Sequence, residues 1–211
     1  MHTSWMHTVS GEILEKIRND EISPNEIITE AMLCDMLKIS RTPVREALIE
    51  LIAKGVLEKV PRKGYRVKEL DTKSKLNVYT VLASLDALAA KCAIVNMTEE
   101  DFLKMEEAID LIDIAIKYKN YPNYYSLQEQ FHQVYIDNCD NPFLQKMLQE
   151  IKTSITHYTY YSKDIDKLFE LCKEVNEEHR HILKLFREGK AEELARFLSE
   201  THWGTKDLEM I

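Results

Sequence analysis

The sequence predicts a mainly α-helical protein, an N-terminal winged helix-turn-helix followed by a C-terminal all-α six-helix bundle. Three observations carry this. Glycine and proline are scarce, five of each in 211 residues, which leaves few places for turns. Strand-like alternation occurs only between Val56 and Val67, around a Pro-Arg-Lys-Gly turn. Beyond it, apolar residues recur at helical spacing to the end of the chain. The expected modules are residues 1–69 and 74–211, joined by a short linker, Glu69–Ser74.

The first helix is expected over His7–Asn19, with Val9, Ile13, Leu14 and Ile17 on one face. Ser23-Pro24-Asn25 makes a turn. Thr29 can cap a second short helix, Glu30–Leu37, with Leu33, Met36 and Leu37 inward. Lys38-Ile39 then leads to the third helix, ISRTPVREALIEL. Ser40 is its N-cap, able to accept from an otherwise unpaired amide, and Pro43 falls in the first turn, where its missing N–H is not needed. Val44, Ala47, Leu48 and Leu51 form the buried stripe, and Gly55 ends the helix. Ser40, Arg41, Thr42 and Arg45 stand off that stripe at the positive end of the helix. Two arginines and hydroxyls displayed there suit a major groove, with Arg on guanine N7 and O6 and the helix end on phosphate. On this segment alone an ordinary surface is an equal reading, with Arg45 paired to Glu46 or Glu50.

Two strands follow, Val56–Val60 and Tyr65–Val67, around Pro61-Arg62-Lys63-Gly64. A hairpin tipped by two cations directly after the third helix makes a wing. Arg62 and Lys63 can follow phosphate or enter a minor groove, and Gly64 permits close backbone approach.

Charge agrees with this placement. The chain carries a net −8, yet residues 1–70 hold 11 basic and 11 acidic residues, so the deficit lies in the remainder. Within Lys38–Lys68 there are nine basic and three acidic residues, a local attraction for phosphate. The composition, 45% hydrophobic and 30% charged, is that of a soluble globular protein. No apolar run approaches the roughly 20 residues that span a bilayer. The segment MHTSWMHTVSGEIL lacks the basic flank and apolar core of a signal peptide. Cys34, Cys92, Cys139 and Cys172 have neither disulfide-like nor zinc-finger spacing, so reduced thiols and a cytoplasmic location are expected.

SRTPVREAL, then a glycine-ended helix, then RKGYRV, resembles the winged helix-turn-helix of GntR-type bacterial transcription regulators, over residues 7–67 in order and spacing. The resemblance implies contacts with double-stranded DNA from Ser40, Arg41, Thr42, Arg45 and the Gly64 wing tip. Two departures stand out. Ala31 occupies a position where the family often has arginine, and Lys38 one where a turn glycine is usual.

The second module reads as helices over Lys73–Asn96, Thr98–Lys119, Tyr121–Cys139, Asn141–Ser162, Ile165–Gly189 and Ala191–Leu208. Thr98 followed by three acidic residues and Asn141-Pro142 mark starts, and Gly189 marks an end. Their order and length resemble the FCD ligand-binding domain of the FadR subgroup. The spans EQFHQVYIDNCDNPFL, EEHRHIL and LSETHW carry the likeness.

Three of the seven histidines fall on inward or boundary positions. His132 shares a face with Gln128 and Tyr135. His179 lies on the stripe Cys172, Val175, Ile182, Phe186, and His202 continues Leu194 and Leu198. One imidazole from each of three helices can converge on a divalent metal, and equally each can be a hydrogen-bonded core residue. The FCD resemblance implies metal ligation at these three positions, by an ion such as zinc or nickel, with a small-molecule effector alongside. It also puts Gln128 where those domains usually have a ligating Asp, and Leu82 where an arginine often meets the effector. Tyr79 and Asp86 flank Leu82 in this candidate pocket. His2, His7, His157 and His181 have no assigned role.

The function this implies is a homodimeric transcription regulator, a repressor in the first instance, on a pseudo-palindromic operator and responsive to an anionic metabolite. The competing reading is a metal-dependent hydrolase built on the same histidines. It lacks an HExxH-type motif and leaves the wing without a purpose. A third is an interaction module with an empty pocket.

Overall fold

The computed structural model of the chain describes residues 8–18, 21–23, 26–68, 71–154 and 164–204. The chain divides into two compact units: the first groups the described residues up to Asp71 with Lys152–Ser154, and the second holds the rest. The first contains α1 (Val9–Arg18), α2 (Glu30–Leu37), α3 (Arg41–Ala53), β1 (Leu57–Val60) and β2 (Gly64–Val67). Ile13, Leu14 and Ile17 of α1, Leu33 of α2 and the expected α3 stripe close one core with Ile28, Val56, Leu57 and Val67. Met36, expected inside, is exposed, because the inward line of this two-turn helix runs through Leu33 and the half-buried Leu37.

Local signals set the helix ends. The Thr29 hydroxyl accepts from the Met32 amide at 3.2 Å. Ser40 occupies the N-cap position of α3, but its hydroxyl makes no capping bond, contrary to expectation. Gly55, at φ +75°, donates to the Ile52 carbonyl, and Val56 donates to Leu51, which together close a Schellman motif. Lys38 adopts the same left-handed conformation at the end of α2, with φ 58° and ψ 37°.

The second unit contains α4 (Thr72–Ala93), α5 (Glu99–Lys117), α6 (Tyr121–Asp137), α7 (Pro142–Ser154) as far as Ile151, α8 (Ile165–Arg187) and α9 (Ala191–Phe197). α4 begins inside the segment expected as linker. Thr98 and Asp101 form a reciprocal capping box at the start of α5. α5 packs on α6 and α8, and α4 packs on α6 and α9. Ile112, Tyr124, Phe169 and Cys172 are at the centre of one of its clusters. Two expectations change. The helix read over Asn141–Ser162 is described to Ser154, and the remainder lies outside the described residues. The last helix does not run on as a single α-helix, since Leu198–His202 form a π-turn.

Candidate nucleic-acid interface and metal centre

The α3 N-terminus and the wing carry the expected cations. Ser40, Arg41, Thr42 and Arg45 are all exposed, as are Arg62 and Lys63 at the hairpin tip. Among the described residues Lys38, Arg41, Lys59, Arg62 and Lys63 form no salt bridge. Arg45 does, though not with Glu46 or Glu50. Its Nε and Nη2 donate to the two carboxylate oxygens of Glu30 on α2, at 3.0 and 2.8 Å. The guanidinium beside it holds the Glu30 carboxyl below the usual carboxylate range. This fork uses one edge of the guanidinium and leaves the Nη1/Nη2 edge free of any partner among the described residues. Arg66 pairs across the hairpin with Glu58.

Gly64 also has a structural role. At φ +135°, a Cβ there would lie 2.3 Å from the Ile28 carbonyl oxygen. Ile28 and Tyr65 exchange backbone hydrogen bonds at 2.7 and 2.8 Å. Within the chain, Gly64 permits the close approach of Ile28, which forms a single antiparallel bridge with Tyr65 beside the hairpin.

In the second unit the three sequence-predicted histidines meet. Ligand-capable nitrogens of His132, His179 and His202 lie within 4.8 Å of one another, and all three side chains are buried. α6 supplies His132 and α8 supplies His179. The π-turn supplies His202, and its extra residue per turn brings the ring inward. His132 Nε2 and His202 Nε2 are 3.1 Å apart.

The opposite ring nitrogens fix the tautomers. His202 Nδ1 donates to the Glu178 carboxylate at 2.9 Å. Asn176 gives its amide hydrogens to the Ile109 carbonyl and Asp113, so its Oδ1 accepts from His179 Nδ1 at 3.2 Å. The Tyr135 hydroxyl donates to Asp86 Oδ2 at 2.6 Å, so its oxygen accepts from His132 Nδ1, also at 2.6 Å. Each Nδ1 is then a donor, and each Nε2 presents a lone pair to the centre. His179 Nε2 is buried with no hydrogen-bond partner among the described residues. Burial pushes the His179 imidazole well below its ordinary value and keeps it neutral. Two nitrogens bound to one zinc-like ion lie about 3.0 Å apart at right angles and about 3.4 Å apart at tetrahedral angles. The His132–His202 spacing suits two ligands of one such ion, and three imidazoles are a donor set that suits a divalent metal.

Residues 6–67 match the gntR family of bacterial regulatory proteins, and residues 77–202 match the FCD domain. The chain belongs to the GntR family. It is a DNA-binding transcription regulator of the FadR-like group, with an FCD effector-binding domain, and not an enzyme. Among GntR-family relatives, the Nta operon transcriptional regulator of Aminobacter aminovorans is 29% identical over 181 residues, 83% of this chain and 80% of that one. The transcriptional repressor RspR of Escherichia coli is 24% identical over 74% of this chain and 70% of its own. In fold, the chain superposes on E. coli McbR/YncC with a TM-score of 0.81, at 19% identity, over 95% of this chain and 93% of the other.

The GntR chain's remaining pocket residues separate by role. Asp86 is fully buried and accepts from Tyr135 and from Trp203 Nε1, the latter at 2.8 Å. Tyr79 is half-buried, its ring 6.2 Å from that of Trp203, and burial raises its hydroxyl pKa. Leu82 is fully buried and brings no charge where arginine is frequent. Gln128 lies one turn before His132 and is half-buried. His181 packs on Phe197 with centroids 4.5 Å apart, whereas His2, His7 and His157 lie outside the described residues. Sequence reasoning missed Asn176, Glu178 and Trp203. Asn176, one turn before His179, was the one detectable signal, since metal-binding histidines are commonly oriented by a polar neighbour on the other nitrogen.

Proposed function

We propose that this regulator works as a homodimer on a pseudo-palindromic operator, and that its bundle holds one divalent metal, zinc or nickel, beside which a small anionic effector binds. The observation that carries the metal reading is the inward convergence of three Nε2 lone pairs whose Nδ1 partners all lie outside the centre. At 3.1 Å, two facing lone pairs repel unless a cation lies between them. Bound there, a metal with neutral imidazole ligands supplies undiminished positive charge and open positions for an anion. That charge substitutes for the cation that Leu82 does not provide. Glu178 places a carboxylate one hydrogen bond beyond His202, and Asp86 one beyond Tyr135, two hydrogen bonds from His132, where Gln128 provides none.

On the DNA side, Arg41 and Arg45 take base edges, while Ser40, Thr42, Arg62, Lys63 and the Gly64 turn follow the backbone. Glu30 occupies the Nε/Nη2 edge of Arg45 and presents the Nη1/Nη2 edge for guanine O6 and N7. One winged helix reads only a few base pairs, so a two-fold protein on two-fold DNA gives the needed selectivity.

Elemental analysis of protein purified without chelator, with melting curves before and after chelation, tests the centre. The expected result is about one zinc or nickel per chain and a lower melting temperature once it is removed. Protein with no metal, whose melting is indifferent to added zinc and nickel, overturns it.

A further inference from the structure

We propose that Asp86 is the positioning residue through which the histidine centre holds α4, by way of Tyr135 on one arm and Trp203 on the other. The inference rests on the metal reading above. Asp86 Oδ2 receives both the Tyr135 hydroxyl, at 2.6 Å, and the Trp203 indole N–H, at 2.8 Å. Tyr135 is in turn the acceptor for His132 Nδ1, and Trp203 directly follows His202. Two of the three ligand arms therefore end on one carboxylate oxygen.

The setting makes this carboxylate hard to explain as packing. Leu82, Ala83, Ala87, Ala89, Ala90 and Ala93 are the other buried residues of α4, and all are apolar. A buried carboxylate is costly unless strongly hydrogen-bonded, and an apolar residue of similar size would serve a plain core better. What Asp86 adds is direction. It draws Tyr135 and Trp203 to one point on α4.

The π-turn is the second half of the device. Its i→i+5 bonding is rare and less favourable than α, and such turns cluster at functional sites. Continuing α9 as an α-helix through Leu198–His202 would rotate His202 and Trp203 by roughly a quarter turn. His202 would leave His132, and Trp203 would leave Asp86. When the centre is filled, His132 and His202 are drawn together on one side, and Tyr135 and Trp203 are fixed against Asp86 on the other. α4 is the helix that follows the winged module along the chain, so what the centre orders first is the helix joined to the DNA-reading unit.

The test uses full-length protein carrying Trp5→Phe, which leaves Trp203 as the single indole. Zinc is titrated into chelator-stripped protein while Trp203 emission, amide exchange across α4 and bound zinc are followed together. Expected are a shift in Trp203 emission and slowed exchange around Ala83–Ala90 as zinc binds. Tyr135→Phe keeps the ring and cuts the His132 arm; Asp86→Asn weakens both arms. Each should lower zinc affinity about 10- to 100-fold and lose most of the α4 protection at zinc saturation. If Asp86→Asn does not fold, Tyr135→Phe decides. Zinc bound by all proteins, with Trp203 silent or α4 protection equal in the variants, overturns this inference alone. A parent protein that binds no zinc and no nickel overturns the metal reading, and this with it.

Discussion

The two functional ends of this regulator use opposite electrostatics. In the DNA-reading unit the working groups are full charges in water. The Arg45 side chain is 61% exposed and its partner Glu30 26% exposed. In the bundle the proposed ligands are rings held out of water, with His179 at 0% and His132 at 1% exposure. An exposed ion pair contributes little to stability and can rearrange when phosphate arrives. A buried polar network has no such freedom, since any member left unpaired costs more than its bond contributed. Substitutions of Arg45 and the wing cations should therefore change binding without changing melting, and those of the buried network should change both metal uptake and the melting of the bundle.

Removing the metal should have the largest effect. At about a thousandfold excess over its dissociation constant, a ligand that binds only the native state adds about 4 kcal/mol. Chelation should lower the melting temperature of the parent protein accordingly and leave His179→Ala unmoved. The variant should take up no metal and still bind operator through its N-terminal unit. Equal chelator sensitivity in the two proteins would break the contrast.

Gly64→Ala probes the opposite end for a hidden structural element. Its Cβ would meet the Ile28 carbonyl oxygen at 2.3 Å, against backbone that cannot swing away, and φ is +135°. Strain of about 2–3 kcal/mol is expected in the DNA-reading unit, seen as early melting together with weaker operator binding. A Gly64→Ala protein that melts normally yet binds poorly would instead give this glycine a direct DNA role.

Arg45→Ala should lower operator affinity roughly 5- to 150-fold, relax base preference and leave melting unchanged. Glu30→Gln retains the arginine but weakens the fork, so it should broaden base preference more than it changes affinity. Lys63→Ala should weaken all sequences alike and flatten the salt dependence by about one. Quantitative binding to operator variants at several salt concentrations separates these outcomes.

How legible the two ends were in the sequence follows from the same contrast. Helix-turn-helix and wing could be read because each element is specified locally: Thr29 before α2, Pro43 inside α3, Gly55 after it, and an alternating hairpin. The three histidines could be placed on inward faces, since periodicity gives direction along one helix. Their surroundings could not. Asp86 lies 49 residues from Tyr135 and 117 from Trp203, a separation no local pattern reports. The sequence offers Arg45 nearby partners on its own helix, Glu46 or Glu50, whereas the partner comes from α2, 15 residues away. The π-turn was missed because Leu194 and Leu198 continue a helical stripe whose bonding changes only after Phe197.

Lys38→Gly should have the smallest effect and cuts across the contrast most finely. Lys38 closes α2 in the left-handed region, φ 58°, where a β-carbon costs about 1 kcal/mol and glycine costs nothing sterically. Glycine loses more backbone entropy on folding, so the net gain should be about 0.5–1 kcal/mol, a rise of a few degrees in melting of the DNA-reading unit. The same substitution removes an exposed ammonium three residues before Arg41. If Lys38 is kept for a phosphate, the more stable protein will bind DNA less tightly at low salt, and its salt slope will flatten by about one without loss of base preference. Stability and affinity would then move in opposite directions from a single side chain. A variant that gains stability with an unchanged salt slope would show that this lysine only strains the turn, and that the phosphate contacts of this end come from α3 and the wing alone.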